Sequence, residues 1–133
     1  MEFLIRNHSR KFTIDDELWT ASGASTFRPV SRTYVFDRRL KDVKIVRLTD
    51  VCLPERNSGI TELNHDRLSS ILEGCVQGSP LPPMPVYESS GKNGYKFEVH
   101  DGYHRYCVSV ALKFGHLPVT VRTRFEFETE TII

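Results

Sequence analysis

The sequence predicts an α+β domain: a small mixed β-sheet with helices packed on it, one of which leaves a strand end directly. Three observations lead there. From Val119 to Thr129, Val119, Val121, Thr123, Phe125 and Phe127 fall on one face and Thr120, Arg122, Arg124, Glu126 and Glu128 on the other, the period of two that marks a strand. Leu68, Ile71, Leu72 and Cys75 recur at spacings of three and four, the apolar stripe of a helix. Between them, Val99-His100-Asp101-Gly102-Tyr103-His104-Arg105-Tyr106-Cys107 runs as a strand that breaks at Asp-Gly and enters an amphipathic helix.

Taken in chain order, residues 1–40 read as an N-terminal extension packed on the core and residues 41–133 as the main domain. Phe3, Leu4, Ile5, Phe12, Ile14, Leu18 and Trp19 give the extension apolar side chains that need burial. Thr13-Ile14-Asp15-Asp16-Glu17-Leu18-Trp19 predicts a short helix with Thr13 as its cap and acids in its first turn, and Trp19 reads as a packing anchor. Val43 to Leu48 predicts the first core strand, with Val51-Cys52-Leu53-Pro54 leading out of it. Asn64 or Asp66 can cap the next helix, which starts near Arg67 and stops at Gly74 or Gly78. Leu81-Pro82-Pro83-Met84-Pro85-Val86, a Gly91-Lys92-Asn93-Gly94 turn and Tyr95 to Val99 then precede the Asp-Gly junction. The helix after it is expected to run to Phe114-Gly115, where His116 reads as a cation at the helix C-terminus.

At 133 residues the chain has room for one domain with a sizeable core, and 39% hydrophobic with 26% charged residues is the composition of an ordinary soluble protein. No apolar run approaches the roughly 18 residues of a transmembrane helix, and Met1-Glu2-Phe3-Leu4-Ile5-Arg6 lacks the apolar core of a secretory signal, so a cytoplasmic location without membrane association is expected. Cys52, Cys75 and Cys107 are odd in number and widely spaced, which reads as free thiols and not as a disulfide framework or a structural zinc site. The net charge of +1 conceals a basic stretch in which Arg28, Arg32, Arg38, Arg39, Lys41, Lys44 and Arg47 face only Asp37 and Asp42. With Tyr34 and Phe36 interleaved, Arg28, Arg32, Arg38, Arg39 and Lys41 are the candidate nucleic-acid contacts, although a pI near 7.8 fits a solvated surface better.

The Asp-Gly junction is the candidate site. A helix N-terminus leaves backbone N–H groups unpaired and carries about half a unit of positive charge, so a glycine that lets an anion approach, followed by His104 and Arg105, concentrates donors at one point. The simplest ligand is a phosphate. A strand-turn-helix junction also uses Asp-Gly for geometry alone, with Asp101 as a simple cap.

The order of these motifs from about Val46 to Val121 resembles the ParB/sulfiredoxin superfamily. In that superfamily a helix leads into a strand introduced by Pro-Pro-x-x-Val, a hairpin follows, and a Gly-x-His-Arg or Gly-Glu-Arg-Arg motif opens the helix that binds nucleotide phosphate. The resemblance implies a ParB/sulfiredoxin-like fold and puts Gly102, His104 and Arg105 on the phosphate motif, with ATP or another nucleotide as ligand, with or without Mg2+. It sets Arg67 where sulfiredoxins carry a nucleotide-contacting lysine and Ser70 where they carry a serine that helps hold the nucleotide. Arg67 keeps the charge and offers a planar fork suited to phosphate.

The departure is Tyr103, which stands where sulfiredoxins have their nucleophilic cysteine and ParB-type clamps a glutamate. A phenol with an ordinary pKa near 10 is a poor nucleophile at neutral pH, so neither chemistry transfers, and Tyr103 is expected only to line the nucleotide site. Cys107, one turn deeper, is a displaced nucleophile in one reading and a core thiol in the other. Asp101 can hold a metal-bound water or orient His104, and Glu98 is a second candidate for the metal or proton. His100 and His104 are four apart, but the Gly102 turn should separate them, so no protein-held metal site is expected.

Three function classes follow. The first is a nucleotide-dependent phosphotransferase or hydrolase in which Arg67, His104 and Arg105 stabilise the transferring phosphate and Asp101 handles metal or proton. The second is a nucleotide-sensing or nucleic-acid-associated module, with DNA-binding or nuclease activity as in ParB relatives. The third is a protein-interaction domain that kept the fold without catalysis.

Overall fold

The computed structural model describes residues 1–5, 10–54, 63–89 and 94–123. Strands β1 (Glu2–Ile5) and β2 (Arg10–Thr13) form an antiparallel ribbon in which the Phe3 and Phe12 rings stack at 5.2 Å and Lys11 pairs with Glu2 at 3.1 Å. Thr13 ends this ribbon and does not cap a helix. Phe12 and Ile14, two apart, are both fully buried, so the period-two geometry continues past Thr13 and delays the helix. Helix α1 (Asp16–Ala21) follows with Asp15 in the cap position and no side-chain cap bond. The α-amino group of Met1 donates to Ile14 O at 2.6 Å and lies 2.8 Å from Asp16 Oδ1. Trp19 tilts against Phe3 at 5.4 Å, consistent with a packing anchor.

The main sheet takes β3 (Val43–Arg47), β4 (Val51–Cys52), β5 (Met84–Glu88), β6 (Phe97–Val99) and β7 (His116–Arg122), in the spatial order β3-β7-β5-β6-β4. It is mixed: β3 runs antiparallel to β7 and β5 to β6, while β5–β7 and β4–β6 are parallel. Leu117, Pro118 and Val119 are buried in succession, because β7 sits inside the sheet; its alternating burial is therefore lost where both faces are covered. Residues 124–129 of the expected strand, and most of the Gly91–Gly94 turn, lie outside the described residues.

Helix α2 (His65–Gln77) is capped by Asn64, whose Oδ1 accepts from Arg67 N at 3.0 Å, and ends at Gly78 in the left-handed region (φ 74°). Helix α3 (Tyr103–Ala111) stops earlier than its apolar pattern predicts. Phe114 N donates to Ser109 O at 3.0 Å and Lys113 N to Val110 O at 3.2 Å, a Schellman closure in which Lys113 (φ 66°) takes the left-handed position. His116 is consequently the first residue of β7 and not a helix-terminal cation. Leu68, Leu72 and Cys75 of α2, Tyr106, Cys107 and Val108 of α3, Val86, Val99 and Val119 of the sheet, and Ile5, Phe12 and Tyr34 share one core.

Candidate functional site

The sheet and helices bring the first turns of α2 and α3 together. Asn64 N donates to His104 Nε2 at 3.0 Å, which joins the cap of one helix to the first turn of the other. His104 is therefore neutral with Nε2 as acceptor, and partial burial together with the nearby Arg67 charge holds its pKa below the usual imidazole range. Arg67 is exposed in the first turn of α2. The cap residue of α3 is Gly102, and among the described residues no side chain makes a cap bond to that helix.

Gly102 is required at this point twice over. Its φ of 116° is one that side chains rarely adopt, and a Cβ there would lie 3.0 Å from Arg105 Nη2 and 3.2 Å from Met84 Cγ. Arg105 folds back beneath it. Its Nη1 donates to Pro82 O at 2.8 Å and to Pro83 O at 3.0 Å, and Tyr34 OH donates to the same Pro82 oxygen at 2.6 Å. Burial pushes the Tyr34 phenol up despite the opposing Arg105 charge. Arg105 thus carries a structural duty, tying α3 to the approach of β5, in addition to the charge it brings to the junction.

Two further residues reach the start of α3. Tyr103 OH donates to Pro54 O at 3.2 Å, and Arg10 Nη1 donates to the same oxygen at 2.9 Å. Arg10, only 6% exposed, carries the N-terminal ribbon to this junction. Neither link is legible in the sequence, since a backbone carbonyl leaves no residue signature. Asp101 is exposed and precedes the cap position, so it does not cap α3. Glu98 stands in β6 opposite Tyr87 and Cys52, and the His100 ring lies edge-on to Tyr87 at 6.4 Å. Among the described residues, no three His, Cys, Asp or Glu side chains gather as a metal site would need.

Ser70 lies one turn beyond Arg67 on α2, where it lines an open polar groove of about 490 Å³ with Asp66, Ser69, Glu73, Gln77 and Leu81. The groove reaches the start of α2 through His65 and Asp66, while Arg67, Gly102, His104 and Arg105 are not part of its lining. Cys107 is fully buried and burial pushes its thiol up to about 12, which removes it as a displaced nucleophile. Cys75 is likewise raised to about 12 by burial. In the basic segment, Arg28, Arg32, Arg38, Arg39 and Lys41 are all exposed. Three of them already have partners: Arg28 Nη1 donates to Phe27 O at 2.7 Å, Arg38 stands over the Phe36 ring at 4.3 Å, and Arg39 pairs with Asp37 at 3.0 Å.

No protein-family model matches the sequence, and neither does any curated protein sequence. Solved structures do match. The chromosome-partitioning protein ParB from Caulobacter crescentus, C-terminally truncated and complexed with CTP-γ-S, aligns at a TM-score of 0.52 and 14% identity over 68% of this chain and 49% of that one. A conserved hypothetical protein from Pyrococcus furiosus aligns at 0.50 and 19% identity, over 68% of this chain and 35% of that one. Sulfiredoxin from Arabidopsis thaliana aligns at 0.47 and 16% identity, over 68% of this chain and 97% of that one. The chain spans about half of the matched ParB and about a third of the Pyrococcus protein. With its mixed five-stranded sheet and a helix leaving a strand end at Gly102, the chain has a ParB/sulfiredoxin-like fold.

Proposed function

We propose that this protein binds a nucleoside triphosphate, with its phosphates at the junction of the α2 and α3 N-termini and the rest of the nucleotide along the Ser70 groove. The observation that carries this reading is the Asn64–His104 hydrogen bond, which holds two positive helix ends within one contact of each other beside Arg67. A ParB structure of the same fold was solved with CTP-γ-S, which supports nucleotide as the ligand class.

Residues divide by role. Gly102 admits the phosphate, first-turn N–H groups of α3 and the Arg67 guanidinium bind its oxygens, and Ser70 supplies a hydroxyl to the groove. Arg105 contributes charge from beneath Gly102, and Tyr103 fixes the start of α3 through Pro54. His104 positions the two helix ends as a neutral imidazole with Nε2 accepting from Asn64 N, which leaves its Nδ1–H as the donor available to a ligand. Asp101, exposed at the mouth of the junction, is the group suited to a Mg2+-bound water, with which ATP or CTP hydrolysis or phosphoryl transfer would proceed.

Calorimetric titration of ATP, CTP, GTP and inorganic phosphate, each with and without Mg2+, tests this. The comparison variant is Arg67→Glu, because Arg67 is exposed and its loss leaves the fold intact. Saturable binding of a triphosphate that Arg67→Glu weakens at least tenfold is expected. Absence of binding at millimolar nucleotide, or equal binding by Arg67→Glu, would overturn the reading.

A further inference from the structure

At the other end of α3 the described residues enclose a cleft of about 350 Å³, near the lower bound of small-molecule sites at roughly 300–1,000 Å³. Its walls are mainly apolar, formed by Leu4, Leu48, Val51, Val110 and Phe114 with the rings of Tyr95 and Tyr106. Tyr106 OH donates to Val51 O at 3.2 Å, so its proton is committed to the fold. Leu4, 56% exposed, leaves apolar surface in the cleft wall open to solvent.

The charge of the lining is one-sided. Among the described residues it contains no acidic side chain and a single cation, Lys113. Lys113 is also the residue in the left-handed position of the Schellman closure, at φ 66°, where α2 uses Gly78 at φ 74°. A side chain with a Cβ is strained there, and glycine would be the relaxed choice. Among the described residues, Lys113 is the one charged side chain in the lining of this otherwise mainly apolar cleft.

We propose that this cleft binds a small apolar carboxylate, its tail among Val51, Val110 and Phe114 and its carboxylate paired with the Lys113 ammonium. A volume of this size holds a ligand on the order of ten to fifteen non-hydrogen atoms. Of α3 itself the cleft uses Tyr106 and Val110, whereas the nucleotide junction uses Gly102, His104 and Arg105, so the two are tested through different residues.

Sodium octanoate is the probe, titrated into the full chain by calorimetry and followed by backbone amide shifts. Octanoate saturates one site, moves the amides of Val110, Lys113 and Gly115, and leaves those of Tyr103 and His104 unchanged. Octyltrimethylammonium, with the same tail and the opposite charge, binds at least tenfold more weakly. Lys113→Gly, which relaxes the backbone and so keeps the fold, weakens octanoate about tenfold, the loss expected for one charge-assisted contact. Failure of octanoate to bind, equal binding of the two probes, or full octanoate affinity in Lys113→Gly overturns the proposal.

Discussion

Replacing Arg105 with alanine should destabilise the ligand-free protein, because the guanidinium is a tie within the fold as well as a charge beside the candidate phosphate site. Its Nη1 donates to Pro82 O at 2.8 Å and Pro83 O at 3.0 Å. A hydrogen bond from a charged donor contributes about 1.5–3 kcal/mol. Truncation does not strand both oxygens, since Pro82 O keeps the Tyr34 hydroxyl at 2.6 Å and only the bond to Pro83 O has no substitute among the described contacts. Arg105 is also only partly buried, so water replaces some of the loss. The net cost is about 2 kcal/mol, which at roughly 3–5 °C per kcal/mol for a domain of this size lowers Tm by about 6–10 °C. Urea unfolding of wild type, Arg105→Ala and Arg105→Lys without ligand measures it, and Arg105→Lys should recover part of the loss. An Arg105→Ala midpoint indistinguishable from wild type would refute the structural role and restore Arg105 as a clean probe of binding.

Three other outcomes follow from the same geometry. Gly102→Ala combines a φ of 116° with Cβ approaches of 3.0 Å to Arg105 Nη2 and 3.2 Å to Met84 Cγ, and should cost about 2 kcal/mol in thermal unfolding. The His104 pKa lies below its unfolded value near 6.5, so the unfolded chain binds the proton first; its contribution to stability is complete above about pH 6.5 and is lost as pH falls through the lower folded pKa. Proton NMR titration of the His104 ring should show that depression, and Arg67→Gln should lessen it by removing one of its two causes. Cys52, half-buried, should react with iodoacetamide in the native protein well before Cys75 and Cys107, whose thiols burial raises to about 12; mass spectrometry of partial digests reads the order.

The parts legible in the sequence were those with a local cause. Val99-His100-Asp101-Gly102 announces a strand end and a turn because only glycine takes φ 116° there, and Asn64 announces a helix start because its side chain caps it. The α2 stripe follows from periodicity, whereas the β5–β6 hairpin is what the superfamily resemblance implies. What stayed hidden was set by distant partners. Thr13 looks like a cap until Phe3 stacks on Phe12 and draws the segment into a ribbon. Gly115 looks like the end of α3, yet packing of Phe114 into the core closes the helix at Ala111 and forces Lys113 into the left-handed region. At the candidate site, His104 and Arg105 were singled out for charge, but their observed partners are a backbone N–H and two proline carbonyls, groups that every sequence contains and none advertises.

The most direct test of the central claim is a backbone amide chemical-shift map of the protein titrated with CTP and Mg2+. Saturable shifts concentrated at His65, Asp66, Ser70, Tyr103, His104 and Arg105 are expected, with the His104 ring staying neutral and its Nε2 still accepting from Asn64 N. Shifts confined to Arg28 through Lys41, or no shifts at millimolar nucleotide, would contradict it.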